Sequence, residues 1–210
     1  KIAKQFGYEI RKYYPANDSS IKIQYLLSHY NIDLVLDVGA SIGVYAKRLR
    51  LEGYQGKIVS FEPLSSAHFK LQSLSQNNAL WIVSPRSAIG DYDGEISINV
   101  ASNSSSSSIL DMEETHVQSK PKSAYVDTEK VRIAKLDTIA SDYIKDSKSV
   151  YLKIDTQGYE EKVLNGAEEL LSKVKVIQTE LSLMPLYKGK ILFAEMINKL
   201  EEMGYELYSL

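Results

Sequence analysis

The chain has 210 residues, enough for one α/β domain with a substantial core and too few for two. Hydrophobic residues make up 44% and charged residues 25%, a globular composition that excludes disorder, collagen and coiled coil. With 25 Lys and Arg against 27 Asp and Glu, the net charge of -2 predicts no nucleic-acid face and no polybasic membrane anchor. Zero cysteines exclude disulfides, thiolate metal sites and cysteine nucleophiles, and fit a cytoplasmic protein. No apolar run reaches the ~20 residues of a transmembrane helix. The chain opens at Lys1 without a signal-peptide pattern, as expected of a piece cut from a longer protein.

Ile2, Phe6, Ile10 and Tyr13 fall at helical spacing, residues 15–18 interrupt, and Ile21, Tyr25, Leu26 and Leu27 mark a second helix. Residues 1–32 are thus expected to form a helical extension ahead of one domain at 33–210. From Asp33 the rhythm becomes strand and helix in alternation: Leu34–Val38, Val44–Leu51, 58–61, Ser65–Ser75 and 80–83. That order predicts βαβ units and an α/β fold, a doubly wound and mainly parallel sheet with helices on both faces. After a turn at 91–94 and a strand at 95–100 comes a five-serine run, Ser104 to Ser108. Residues 101–124 lack periodicity, and serine tracts bury little apolar surface, so composition favours a mobile linker here over a lid or binding loop. Order resumes with a strand at 130–134, a helix at 136–144, the strand Val150–Ile154 and a helix at 159–171 broken at Gly166. The strand Val174–Thr179, an amphipathic helix at 191–203 and a last strand at 205–208 complete the chain.

The apolar strand ending in Asp37 leads into Gly39, Ala40, Ser41 and Gly43, which open a helix. Glycine there lets a backbone approach a ligand closely, and helix N-terminal amides are expected to face it. Residues 39–43 also match the nucleophile elbow G-x-S-x-G, but none of the three histidines, His29, His68 and His116, follows the fifth strand, where a triad base belongs. Ser41 and Val44 break the dinucleotide fingerprint. Glu62 closes the next strand, 23 positions after Gly39, near the ~20 expected for an acid that holds a ribose.

Asp37 to Gly43, Phe61-Glu62-Pro63, Ala88-Ile89-Gly90-Asp91, Leu152 to Glu160 and Glu180-Leu181-Ser182-Leu183 together resemble the FkbM family of S-adenosylmethionine-dependent methyltransferases. The resemblance runs from about Asp33 to Leu210. It implies a Rossmann-like sheet of the class I methyltransferase type, S-adenosyl-L-methionine as cofactor, and a small-molecule hydroxyl acceptor on a sugar, polyketide or other secondary metabolite. It further implies that Asp37, Gly39, Ala40, Ser41 and Gly43 cradle the methionine half of the cofactor. Glu62 would hold the ribose hydroxyls, Pro63 would shape the adenine wall, and Ser87 and Ala88 would border the adenine. Ser41 departs from the glycine many methyltransferases carry at its position.

Asp155 and Glu180 end neighbouring strands, and parallel strand ends lie ~5 Å apart, so both carboxylates can face one pocket. Such a pair can take a proton from a hydroxyl, balance a sulfonium or share a divalent cation; both are assigned as catalytic candidates and no metal is assigned. A degenerate methyltransferase fold serving as an interaction module, and a nicotinamide-dependent reductase, are the competing readings.

Overall fold

The computed structural model describes residues 19–103, 106–113, 118 and 120–210. In chain order the elements are α1 (Ser19–His29), β1 (Leu34–Val38), α2 (Val44–Leu51), β2 (Lys57–Phe61), α3 (Ser65–Ser75), β3 (Trp81–Val83), β4 (Ala88–Ile89) and β5 (Gly94–Ala101). Then follow β6 (Tyr125–Ala134), α4 (Leu136–Ile139), α5 (Ser141–Ile144), β7 (Val150–Ile154), α6 (Glu160–Asn165), β8 (Val174–Thr179) and α7 (Phe193–Glu202).

β1 and β7 are buried at every position, as near-continuous apolar strands covered on both faces must be. They form the centre of a five-stranded sheet ordered β3-β2-β1-β7-β8, with every neighbouring pair parallel. Side chains alternate between two cores. Leu34, Leu36 and Val38 join Leu152, Ile154 and the α6 residues Val163 and Leu164 on one face. Val35 joins Ile23 and Leu27 of α1, Ala46 and Leu49 of α2, and Tyr151 on the other. The chain runs from β1 outward through β2 to β3, then returns to β7 on the opposite side of β1. The strand order therefore reverses between β1 and β7, and in open α/β sheets that reversal opens a ligand crevice at the carboxyl ends. A second sheet, β4-β6-β5, packs Ile98, Val131 and Ile133 against Leu64 and Ala67 at the start of α3. It forms a wall beside the crevice.

Several expectations need correction. No strand forms at 205–208: Tyr205 instead anchors through its hydroxyl on the Val174 carbonyl, 3.2 Å away, and nothing pairs with this stretch as a ladder. The helix expected at 136–144 is two short helices meeting at Ala140. The strand expected at 130–134 begins five residues earlier because it is paired along its length with β5. The helix at 159–171 does break at Gly166 and continues as a 3₁₀ turn at Leu170–Lys173. The helix expected around Ile2 to Tyr13, like His116, lies outside the described residues.

Of the serine run, Ser104 and Ser105 lie outside the described residues, and the other three depart from the expectation. Ser106, Ser107 and Ser108 are buried, not solvated. Their short hydroxyls act as chain fasteners: Ser107 Oγ accepts from Ala101 N at 2.9 Å, and Ser108 Oγ donates to the Gln157 carbonyl at 2.7 Å. Residues 111–113 are then clipped to residues 186–188, through Glu113 N to Leu186 O (3.0 Å) and Lys188 N to Asp111 O (2.8 Å). Hydroxyl-to-backbone bonds of this kind order a segment that has no apolar periodicity.

The end of α6 meets the small sheet where Gly166 faces Gly90. A methyl group on Gly166 would lie 1.9 Å from the Gly90 carbonyl oxygen, backbone that cannot yield locally. Gly166→Ala is therefore expected to cost about 3 kcal/mol of stability through forced separation of the α6 end from the small sheet, read by urea unfolding. A variant within about 0.5 kcal/mol of wild type would show that this seam carries no such constraint.

Candidate active site

Two loops from the ends of β1 and β7 touch at the crevice. Gly39 has φ +74°, and a Cβ there would fall 1.9 Å from the Asp155 carbonyl oxygen, so glycine is required by both conformation and space. Beneath this contact lies a buried polar chain. Asp37 and Lys153 are register partners on β1 and β7, with Asp37 Oδ1 3.0 Å from Lys153 Nζ. Lys153 Nζ also donates to the Gly39 carbonyl at 3.0 Å, and Ser60 Oγ links Trp81 Nε1 (3.0 Å) to Asp37 Oδ2 (3.4 Å). Burial works to lower the pKa of Lys153, but the charges of Asp37 and Asp155 outweigh it and raise it. Its ammonium stays charged under the glycine loop.

The crevice is lined by Gly39, Ser41, Glu62, Pro63, Ser87, Ala88 and Asp155, with Ile98, Ser107, Ile109, Thr156 and Gln157 closing its sides. Seven of the assigned residues thus come together. Asp37, Ala40 and Gly43 do not line it. Asp37 supports the loop from below, and Gly43, at φ +86°, packs under Leu71 and Trp81. Several amides of the loop ahead of the helix are already paired. Gly39 N and Ala40 N donate to Phe61 O at 3.1 and 3.0 Å, Gly43 N to Ala40 O at 2.9 Å, and Ser41 N to Glu62 Oε2 at 2.8 Å. These four donors fix the shape of the loop itself.

Glu62 is 5% exposed at the end of β2. Oε2 accepts from Ser41 N, and Oε1 accepts from Leu64 N at 2.9 Å. A carboxylate has about four acceptor positions, so two remain for a ligand. Burial pushes the Glu62 pKa up to about 7; the two backbone donors oppose this, Asp37 adds to it, and Lys153 opposes it. Ser87, 1% exposed, carries a hydroxyl without any hydrogen-bond partner on the crevice wall. A buried hydroxyl left unpaired marks a place for a polar ligand atom.

Asp155 has a side chain 45% exposed at the crevice edge, with Oδ2 3.7 Å from Lys153 Nζ. Glu180, exposed at the end of β8, does not line the crevice but stands beside it. Partial desolvation raises the Glu180 pKa, Lys190 opposes this, and Asp155 and Glu160 add to it. The two carboxylates are joined by one group, the Gln157 amide nitrogen, 2.8 Å from Asp155 Oδ1 and 2.8 Å from Glu180 Oε2.

Sequence reasoning missed what holds this loop. Glu160 is fully buried and accepts from Thr156 N and Gly158 N, both at 3.0 Å. Lys190, equally enclosed, lies 3.4 Å from Glu160 Oε2. An acid two residues after Gly158 at the start of a helix was a visible signal for Glu160. Lys190 offered none, because its partner is far away in the chain.

An open parallel sheet with a crevice at the strand-order reversal, a glycine loop on β1 and an acid on β2 defines a Rossmann-like nucleotide-type enzyme fold. The methyltransferase FkbM domain matches residues 37–207, and the chain belongs to that family of methyltransferases. No curated protein and no solved structure matches it. No helix among the described residues is long and apolar enough to cross a membrane.

The raised Glu62 pKa has a stability consequence. Between the ordinary carboxylate value near 4.5 and about 7 the folded state holds a proton that the unfolded chain releases. Stability from this group is complete below that window and falls as pH rises through it, by on the order of 3 kcal/mol in all. In Glu62→Gln this portion of the pH dependence should vanish, whatever the offset caused by the lost acceptor. Thermal unfolding between pH 4 and 8 reads it; an identical pH profile in the variant would place the Glu62 pKa in the ordinary range.

Proposed function

We propose that this methyltransferase uses S-adenosyl-L-methionine to methylate a hydroxyl group on a small molecule such as a sugar, polyketide or other secondary metabolite. The observation that carries the reading is the presence of Glu62 and Ser87 in the lining of one crevice. One is a buried carboxylate with open acceptor positions, and the other a buried hydroxyl with no partner. These features fit a nucleoside. Glu62 would accept from the ribose hydroxyls, Pro63, Ser87 and Ala88 would border the adenine, and Gly39 and Ser41 would face the methionine portion.

The cofactor would supply a methyl group on a cationic sulfur, already reactive toward an oxygen nucleophile. The protein's remaining tasks are alignment, exclusion of water and removal of one proton. Asp155 stands at the crevice edge, next to Gly39, where it would take the proton of the acceptor hydroxyl as that oxygen bonds to the methyl carbon and the methyl–sulfur bond breaks, releasing S-adenosylhomocysteine. Glu180, joined to it through Gln157, adds negative charge on the acceptor side. Ile98, Ser107 and Ile109 shield the crevice from water.

The test is a screen of hydroxyl acceptors that measures S-adenosylhomocysteine release, run beside thermal unfolding with S-adenosylmethionine or a nicotinamide cofactor. S-adenosylmethionine alone should raise the melting temperature. Stabilisation by the nicotinamide cofactor instead would point to a reductase, and by neither to an interaction module. With an acceptor in hand, Asp155→Asn should lower turnover by ~10²–10⁴-fold while cofactor affinity changes far less. Retention of more than about a third of wild-type turnover would remove Asp155 as the base.

A further inference from the structure

Gln157 makes more directed contacts than any ordinary loop residue needs. Its side-chain nitrogen has two hydrogens, and both are taken, one by Asp155 Oδ1 and one by Glu180 Oε2 at 2.8 Å each. Its side-chain oxygen accepts from the Tyr187 hydroxyl at 3.0 Å. Its main-chain carbonyl accepts from Ser108 Oγ at 2.7 Å. Four segments converge on it: the ends of β7 and β8, the buried serines and the stretch that carries Tyr187.

The backbone argues that the side chain is needed. Gln157 sits at φ +55°, in the left-handed region, where a non-glycine residue costs about 1 kcal/mol. Gly158, the next residue, is also left-handed at φ +107°. A glycine at 157 would relieve the strain, so local conformation alone gives no reason for glutamine. The amide, in contrast, does what neither carboxylate can do for itself. Asp155 and Glu180 lie on neighbouring strands, both negative, and a neutral double donor between them sets their separation and offsets their repulsion.

We infer that Gln157 is the positioning residue of the site: it holds the Asp155 and Glu180 carboxylates in fixed orientation at the crevice edge, itself steered by Tyr187 and Ser108. It does not touch the reacting atoms. The inference rests on the proposed function only for what Asp155 does there, since the geometry of the pair belongs to the protein alone.

The experiment follows the Glu180 carboxyl carbon by NMR through a pH titration of the full chain labelled in its glutamate side chains, with Glu180→Gln identifying the signal. Besides Gln157, Glu180 faces Lys190, Asp155, Glu160 and Tyr187, and these four stay unchanged. The informative variant is Gln157→Gly, which relieves the backbone strain and so favours folding. Loss of the donor should move the Glu180 titration to higher pH, and Gln157→Glu, which adds a third carboxylate, should move it further. Binding of S-adenosylmethionine to the wild type, measured by calorimetry, tests the proposed cofactor separately. A Glu180 titration unmoved in folded Gln157→Gly would overturn the inference and leave Gln157 a loop residue. Failure of wild type to bind S-adenosylmethionine would defeat the proposed cofactor instead, and the Glu180 result would still stand or fall by itself.

Discussion

The site depends on one buried ion pair, Asp37 with Lys153. The two charges face each other across the central strands β1 and β7, in the most enclosed part of the sheet. Burying such a pair is costly compared with an apolar one, and removing either partner alone would strand a charge. What the pair provides here is place. Lys153 reaches from Asp37 to the Gly39 carbonyl at 3.0 Å, and its longer contact with Asp155 spans 3.7 Å. One ammonium thus ties the register of β1 against β7 to the shape of the glycine loop and to the acid at the crevice edge. The close approach of Gly39 to Asp155 depends on that register, because a shift by one residue would send every side chain to the opposite face.

A second buried pair repeats the logic on the other loop. Glu160 collects the amides of Thr156 and Gly158 and is itself balanced by Lys190. The β1 loop satisfies its donors with Phe61 O and Glu62, and the β7 loop with Glu160. Both loops reach the crevice with several of their backbone donors already paired. Recognition then falls to a few side chains with capacity left over, chiefly Glu62, Ser87 and Asp155. Methyl transfer suits such a frame, since a reactive donor asks the protein for alignment more than for a large set of catalytic groups.

Much of this was legible in the chain before folding was considered. The strands Leu34–Val38, Val150–Ile154 and Val174–Thr179 and the helices Val44–Leu51 and Ser65–Ser75 have the boundaries that apolar runs and turn residues imply. Glu62 and Asp155 reach the crevice because a parallel sheet brings strand ends to one edge, which order alone predicts, whereas Ser87 was indicated only by the family resemblance. What escaped notice has a common cause. Ser106 to Ser108, Tyr187 and Lys190 act through single hydrogen bonds or ion pairs to residues far along the chain, and such pairings leave no periodic trace. Tyr205 failed as a strand residue for a related reason: strand propensity is realised only where a partner edge lies beside it. Asp37 was legible as important but not as buried, because an acid at the end of an apolar strand reads the same whether it faces a ligand or a lysine.

The most direct test of the account is calorimetric titration of S-adenosylmethionine into the wild-type protein and into Glu62→Ala. At pH 8, above the raised Glu62 pKa, the account predicts saturable binding to wild type and an affinity about 30-fold or more lower in the folded variant, the loss of two hydrogen bonds to a charged acceptor at about 2–4 kcal/mol. No binding to wild type, or a change of less than about threefold in a folded Glu62→Ala, would contradict it.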